Sequence, residues 1–189
     1  MEAFLVSIGT VALAEMGDRT QLLSLVLAAR YRRPWPILAG ILVATLVNHA
    51  AAAWIGIAVG RLLTPAILDG IVALSMIAMA IWTLRPDSLE ETASVSSRGA
   101  FVATTICFFI AEIGDKTQIA TIALAAGYSS LAAVVAGSTS GMLAANVPVV
   151  FLGHGFANRL PMQTIHHGAA ALFAAIGTLF LVRAAIGFS

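Results

Sequence analysis

Two stretches of this chain are apolar enough to lie in lipid, yet each carries two carboxylic acids at its middle. Glu15-Met16-Gly17-Asp18-Arg19-Thr20-Gln21 interrupts the apolar stretch 3–29, and Glu112-Ile113-Gly114-Asp115-Lys116-Thr117-Gln118 interrupts 100–126. At the centre of a bilayer each acid costs about 2.5–3.5 kcal/mol even on the lenient insertion scale. Four of them cost on the order of 10 kcal/mol, comparable to the whole stability of a fold. Whatever the chain folds into must solvate these acids, pair them or bind them to metal.

Lipid is the expected solvent because 60% of the 189 residues are hydrophobic and only 10% are charged. Soluble domains sit nearer 45–50% and 25%. Apolar windows of about 20 residues mark transmembrane helices, and six are read, over roughly 3–29, 35–60, 66–84, 100–126, 129–154 and 165–187. The breaks are polar or turn-forming: Arg30 to Pro34, Arg61 to Pro65, Arg85 to Arg98, Gly127 to Ser130, and Asn158 to His167. The expected fold is all-α and polytopic, with the lipid bilayer as partner. A net charge of +1 argues against nucleic acid. Cys107 is a lone cysteine and cannot form an internal disulfide. Ala12-Leu13-Ala14 resembles a signal-peptidase site, but Met1-Glu2-Ala3 lacks the basic region that a signal peptide needs.

The chain also repeats. Ala39-Gly40 returns as Ala136-Gly137 at the offset of the two motifs; Asn48 and Asn146, Gly56 and Gly153, and Arg61-Leu62 and Arg159-Leu160 follow at nearly matching depth. Residues 1–84 and 100–189 are thus read as two three-helix repeats joined by a polar cytoplasmic linker, 85–99. Three spans is an odd number, so the second repeat enters the membrane from the opposite side, the inverted architecture common among secondary transporters. Arg30, Arg32, Arg33, Arg85, Arg98 and Arg159 fall on one side, against Arg61 and Arg183 on the other. The positive-inside rule then puts both termini outside a plasma membrane. Gly56-x-x-x-Gly60 and Gly137-x-x-x-Gly141 suit close helix contact.

Residues at i and i+3 are neighbours on a helix. Glu15, Asp18 and Gln21 would form one row of oxygens, and Glu112, Asp115 and Gln118 another. Gly17 and Gly114 would let a second backbone approach or let the helix break. Antiparallel packing of the first and fourth spans would join the rows into a cage of oxygens, suited to Ca²⁺, Mn²⁺ and Mg²⁺ rather than Zn²⁺ or Cu⁺. Arg19 and Lys116 offset two of the four acids, leaving two negative charges for one divalent ion. With the ion gone, crowded acids repel and protons can take its place. Arg19 and Lys116 serve as tethered counter-charges, or else pair with aspartates between helices and only fix packing. Thr20 and Thr117 are either ligands or bonded to their own backbone carbonyls. Asn48 and Asn146 offer an amide oxygen or an interhelical hydrogen bond; Pro148 would distort the helix near Asn146 and free carbonyls there. His49 reads as a satisfied polar contact, and His154, His166 and His167 as solvated edge residues.

The doubled Glu-x-Gly-Asp-[Lys/Arg]-[Thr/Ser] motif in two three-helix halves resembles the Gdt family of cation/proton exchangers. The resemblance covers nearly the whole chain, including Asn48-His49-Ala50 and Ala145-Asn146-Val147-Pro148. Members move Mn²⁺, several also Ca²⁺, in exchange for protons. The resemblance implies that Glu15, Asp18, Glu112 and Asp115 are the ion ligands and that the ion is cargo and not a cofactor; for a bacterial protein whose cytoplasm is supplied by other importers, export is the expected direction. Arg19 stands where many members have lysine. The chain is compatible with a monomer or a homodimer.

Two other classes compete. An exporter of a small organic cation or amino acid would want aromatic faces beside its acids, but Trp35, Trp54 and Trp82 lie towards span ends, as interface anchors do. An intramembrane aspartyl protease would need two buried aspartates sharing a proton. Here each aspartate has a glutamate three residues before it and a base after it, a pattern for ion balance. The chain is therefore not read as an enzyme.

Overall fold

The computed structural model describes residues 1–84, 99–152 and 162–186. Most of the linker, Gly153, His154, Arg159 and Leu160 lie outside the described residues. Eight helices are described: α1 Glu2–Glu15, α2 Arg19–Tyr31, α3 Pro34–Gly60, α4 Pro65–Thr83, α5 Ala100–Glu112, α6 Lys116–Tyr128, α7 Leu131–Leu152 and α8 Met162–Ile186. Four of these, α3, α4, α7 and α8, are long and apolar enough to cross a membrane. Prolines at the first turns of α3 and α4 start those helices where no N–H partner is needed. The α7 helix runs on through Pro148.

Of the two options at Gly17 and Gly114, the break is the one that forms: the stretches 3–29 and 100–126 are each two half-helices, α1 with α2 and α5 with α6, parted inside the motif. The two breaks have nearly the same backbone: Met16 (φ −67°, ψ 116°) matches Ile113 (−66°, 119°), and Asp18 (−79°, 166°) matches Asp115 (−76°, 163°). Gly17 and Gly114 sit at φ +83° and +75°, a region that costs residues with a Cβ about 1–2 kcal/mol. The i, i+3 row of oxygens therefore does not form on one continuous helix. Glu15 and Glu112 end one half-helix, and Asp18 and Asp115 begin the next.

Correspondence between the halves extends into packing. Glu112 follows Glu15 by 97 positions. A Cβ on Gly40 of α3 would meet Phe101 and Thr104 of α5, and one on Gly137 of α7 would meet Phe4 and Ser7 of α1. These are the same contacts shifted by 97. Both glycine pairs expected to allow close contact do so: Gly56 and Gly60 face the Ile122 and Ala126 carbonyls of α6, while Gly137 and Gly141 lie against α1. Even the helix ends agree, since Arg32 after α2 and Ser129 after α6 are both left-handed, at φ 50° and 51°.

The ends of the bundle are marked by polar and aromatic contacts. The Tyr128 hydroxyl at the end of α6 donates to Glu2 at the start of α1 (3.2 Å), and Arg183 near the end of α8 pairs with Asp69 near the start of α4 (3.3 Å). Elsewhere, Trp35 at the start of α3 packs edge-on against Phe151 at the end of α7. Beside that contact, a cavity of about 320 Å³ is lined by Leu25, Ala28, Arg32, Pro34 and Val150 among others.

Candidate metal centre

Breaking each helix inside the motif changes what its polar groups can do. The last carbonyls of α1 and α5 and the first N–H groups of α2 and α6 lose helical partners at the middle of the bundle. Gln21 accepts the Gly17 N–H through its side-chain oxygen (2.9 Å), and Gln118 does the same for Gly114 (2.8 Å). Each glutamine thus stitches its own break. The amide nitrogen of Gln21 goes on to donate to the Ala145 carbonyl of α7 (2.9 Å). Thr20 and Thr117 do not turn to their own backbone carbonyls: Thr20 donates to Glu15, and Thr117 donates to Glu112 (3.3 Å) and Asp115 (3.4 Å).

Asp18 and Asp115 occupy N-cap positions, yet neither makes a side-chain cap bond. Their carboxylates face the other motif instead. Lys116 pairs with Asp18, and Arg19 pairs with Asp115 (3.1 Å) while also donating to the Ala111 carbonyl at 2.9 Å. The base of each motif therefore serves the aspartate of the other, so the ion pairs form between helices. The exchange is not symmetric in solvation, because the Lys116 side chain is 2% exposed and the Arg19 side chain 40%.

Carboxylate oxygens of Glu15, Glu112 and Asp115, all buried, lie within 4.8 Å of one another. Glu15 Oε1 and Glu112 Oε1 have no hydrogen-bond partner among the described residues. Like charges this close repel unless a cation or protons intervene. The two motifs thus contribute to one centre, joined where α1 meets α6 and α2 meets α5.

The asparagines are differently placed. Asn48 donates to the Phe109 carbonyl of α5 (3.1 Å), an interhelical bond. Asn146 accepts from Ser24 of α2 (2.5 Å) and donates to the Met142 carbonyl (3.0 Å) and Sδ (3.1 Å). His49, read from sequence as a satisfied contact, is fully buried with Nε2 3.9 Å from Glu112 Oε2, and neither ring nitrogen has a hydrogen-bond partner among the described residues. The signal that could have found it is the repeat itself, since residue 49 plus 97 is Asn146, whereas pairing Asn48 with Asn146 slips the register by one.

Strain and space separate at the second break. A Cβ on Gly114 would have nothing within 4 Å, so Gly114→Ala pays only for its positive φ, about 1–2 kcal/mol. It is expected to lower the melting temperature in detergent by a few degrees. Gly70→Ala, equally uncrowded but with ordinary helical backbone, is the control and should not lower it.

A buried acidic cluster where two broken helices meet, inside a bundle of helices of membrane-crossing length, is the build of a membrane carrier. The chain belongs to the family described as the divalent cation/proton antiporter GDT1, whose sequence pattern matches residues 3–91 and 100–187. A protein of Vibrio cholerae serotype O1 bearing the name "Putative manganese exporter" is 54% identical over 174 residues, covering 92% of this chain and 87% of the relative. A GDT1-like protein of Synechocystis sp. is 30% identical over 190 residues, covering 87% of this chain and 89% of the relative. The chloroplastic GDT1-like protein 1 of Oryza sativa subsp. indica is 35% identical over 89 residues, covering 47% of this chain and 26% of the relative. No solved structure matches the chain.

Proposed function

We propose that the chain exports Mn²⁺ across the plasma membrane in exchange for protons, with Ca²⁺ as a second cargo, and that Glu15, Asp18, Glu112 and Asp115 hold the ion. The observation that carries this is the convergence of acids from both motifs in one buried centre. Four acids and two bases leave a charge of −2. Lys116 and Arg19 neutralise the aspartates, and the two glutamates remain to face a divalent ion. Two protons cancel the same charge, so either occupant satisfies the site and the two compete for it. All-oxygen donors of this kind suit Mn²⁺ and Ca²⁺. The name of the Vibrio relative favours Mn²⁺ and export.

In this reading the broken helices count as one span each, giving six spans in two inverted repeats, residues 1–84 and 100–189. The contacts repeated at an offset of 97 support it, because each repeat's second span packs on the first half-helix of the other. Both termini lie outside and the 85–99 linker lies in the cytoplasm, as arginine placement suggests. Alternating access comes from one repeat rocking against the other about the shared acids. Every proposed ligand comes from one chain, so a monomer suffices. Gln21, Gln118 and Asn146 sit around the acids with amide oxygens that hold the breaks and α2 in place. Thr20 and Thr117 orient the glutamates, and Asn48 ties α3 to α5.

Flux of ⁵⁴Mn²⁺ into proteoliposomes under an imposed pH gradient tests the reading. Uptake should follow the gradient, reverse when the gradient is reversed, and be competed by Ca²⁺. Uptake indifferent to the gradient would refute exchange.

A further inference from the structure

We propose that His49 is a nitrogen ligand of the transported ion and sets the preference for Mn²⁺ over Ca²⁺; the inference rests on the carboxylate centre being the ion site. Its basis is a difference between the two otherwise corresponding halves. At matching positions of α7 and α3 stand Asn146 and His49. Asn146 is fully engaged: its oxygen takes the Ser24 hydroxyl, and its nitrogen bonds to Met142. The counterpart of Ser24 is Thr121, and its hydroxyl turns to the Thr117 carbonyl of its own helix (2.7 Å). His49 is left with a buried imidazole whose nitrogens have no hydrogen-bond partner among the described residues, and with Nε2 facing Glu112 Oε2.

Leaving buried ring nitrogens in that condition is costly, and an ion at Nε2 would complete the one that faces the acids. The 3.9 Å from Nε2 to Oε2 is too long for a hydrogen bond. It is within the spread of two donors on one ion, because metal–ligand bonds of about 2.0–2.6 Å place such donors at most about 4–5 Å apart. The chemistry then discriminates. Ca²⁺ and Mg²⁺ take oxygen almost exclusively, whereas Mn²⁺, although the first-row ion weakest for nitrogen, gains more than they do from one neutral imidazole beside its carboxylates. An otherwise all-oxygen cage with one nitrogen holds Ca²⁺ no better and Mn²⁺ more tightly.

The test measures Mn²⁺ and Ca²⁺ binding to the purified full chain in detergent, for wild type, His49→Asn and His49→Gln. Mn²⁺ affinity is expected to fall about tenfold or more with Ca²⁺ affinity held within about threefold, so that the Mn²⁺/Ca²⁺ ratio collapses. A ratio within twofold of wild type in a folded variant overturns the proposal. Should both variants fail to fold, pulsed electron paramagnetic resonance of the Mn²⁺-loaded wild type decides: nitrogen coupling that changes on ¹⁵N-histidine labelling supports ligation, and its absence overturns it. Wild type that binds neither ion removes the carboxylate site itself. Wild type that binds Mn²⁺ without nitrogen coupling removes only His49.

Discussion

Glu112→Gln is expected to reduce pH-driven Mn²⁺ flux by at least a hundredfold while leaving the protein folded. Glu112 is fully buried, one of its oxygens has no hydrogen-bond partner among the described residues, and the other meets Thr117 and His49. Glutamine keeps the shape and an acceptor oxygen for Thr117, so the packing of α5 survives. What is lost is one of the two uncompensated charges. Two unit charges about 4 Å apart interact by about 4 kcal/mol at an effective dielectric of 20, and about 1.4 kcal/mol is a factor of ten in affinity. The change therefore exceeds a hundredfold before the ion's double charge is counted. Glu15→Gln should behave alike, since Glu15 occupies the corresponding place in the first motif. Flux in either variant within threefold of wild type, in protein that elutes and melts normally, would take these acids out of the mechanism.

The features legible in the sequence and those hidden from it divide along physical lines. Apolar length and Pro34 and Pro65 located the long helices to within a few residues, because burial in lipid and a missing N–H are local properties. The doubled motif located the acids for the same reason. The helix break was legible only as an option at Gly17 and Gly114: glycine permits a positive φ without requiring it, and the requirement comes from packing the two motifs together. Pairing of the two bases with aspartates between helices was legible as an option, but the crossed choice of Lys116 with Asp18 and Arg19 with Asp115 was not, since it depends on which half-helix lies beside which. His49 was missed through register. One residue turns a helical side chain by about 100°, so matching the two asparagines pointed to Asn48, which faces the Phe109 carbonyl. The unshifted repeat pointed to its neighbour, which faces Glu112.

Lys116→Met is expected to destabilise the protein far more than Arg19→Met, although the two bases hold equivalent places in the motif. Lys116 is almost fully buried against Asp18, itself fully buried. Removing one partner of a buried pair costs about 3–5 kcal/mol, because the remaining charge keeps its desolvation penalty. For a chain of this size each kcal/mol lowers the melting temperature by about 2–4 °C, so a fall of about 10 °C is expected in detergent. The Arg19 side chain is 40% exposed, so solvent screens much of what its loss would cost. Adding Asp18→Asn to Lys116→Met should recover most of the lost stability, because a neutral amide no longer needs the ammonium. It should not recover transport, since Asp18 is one of the proposed ligands. The cycle thus separates holding the fold from holding the ion. Equal melting temperatures for the two single variants, or no recovery in the double variant, would mean that the Lys116–Asp18 contact does not hold the broken helices together.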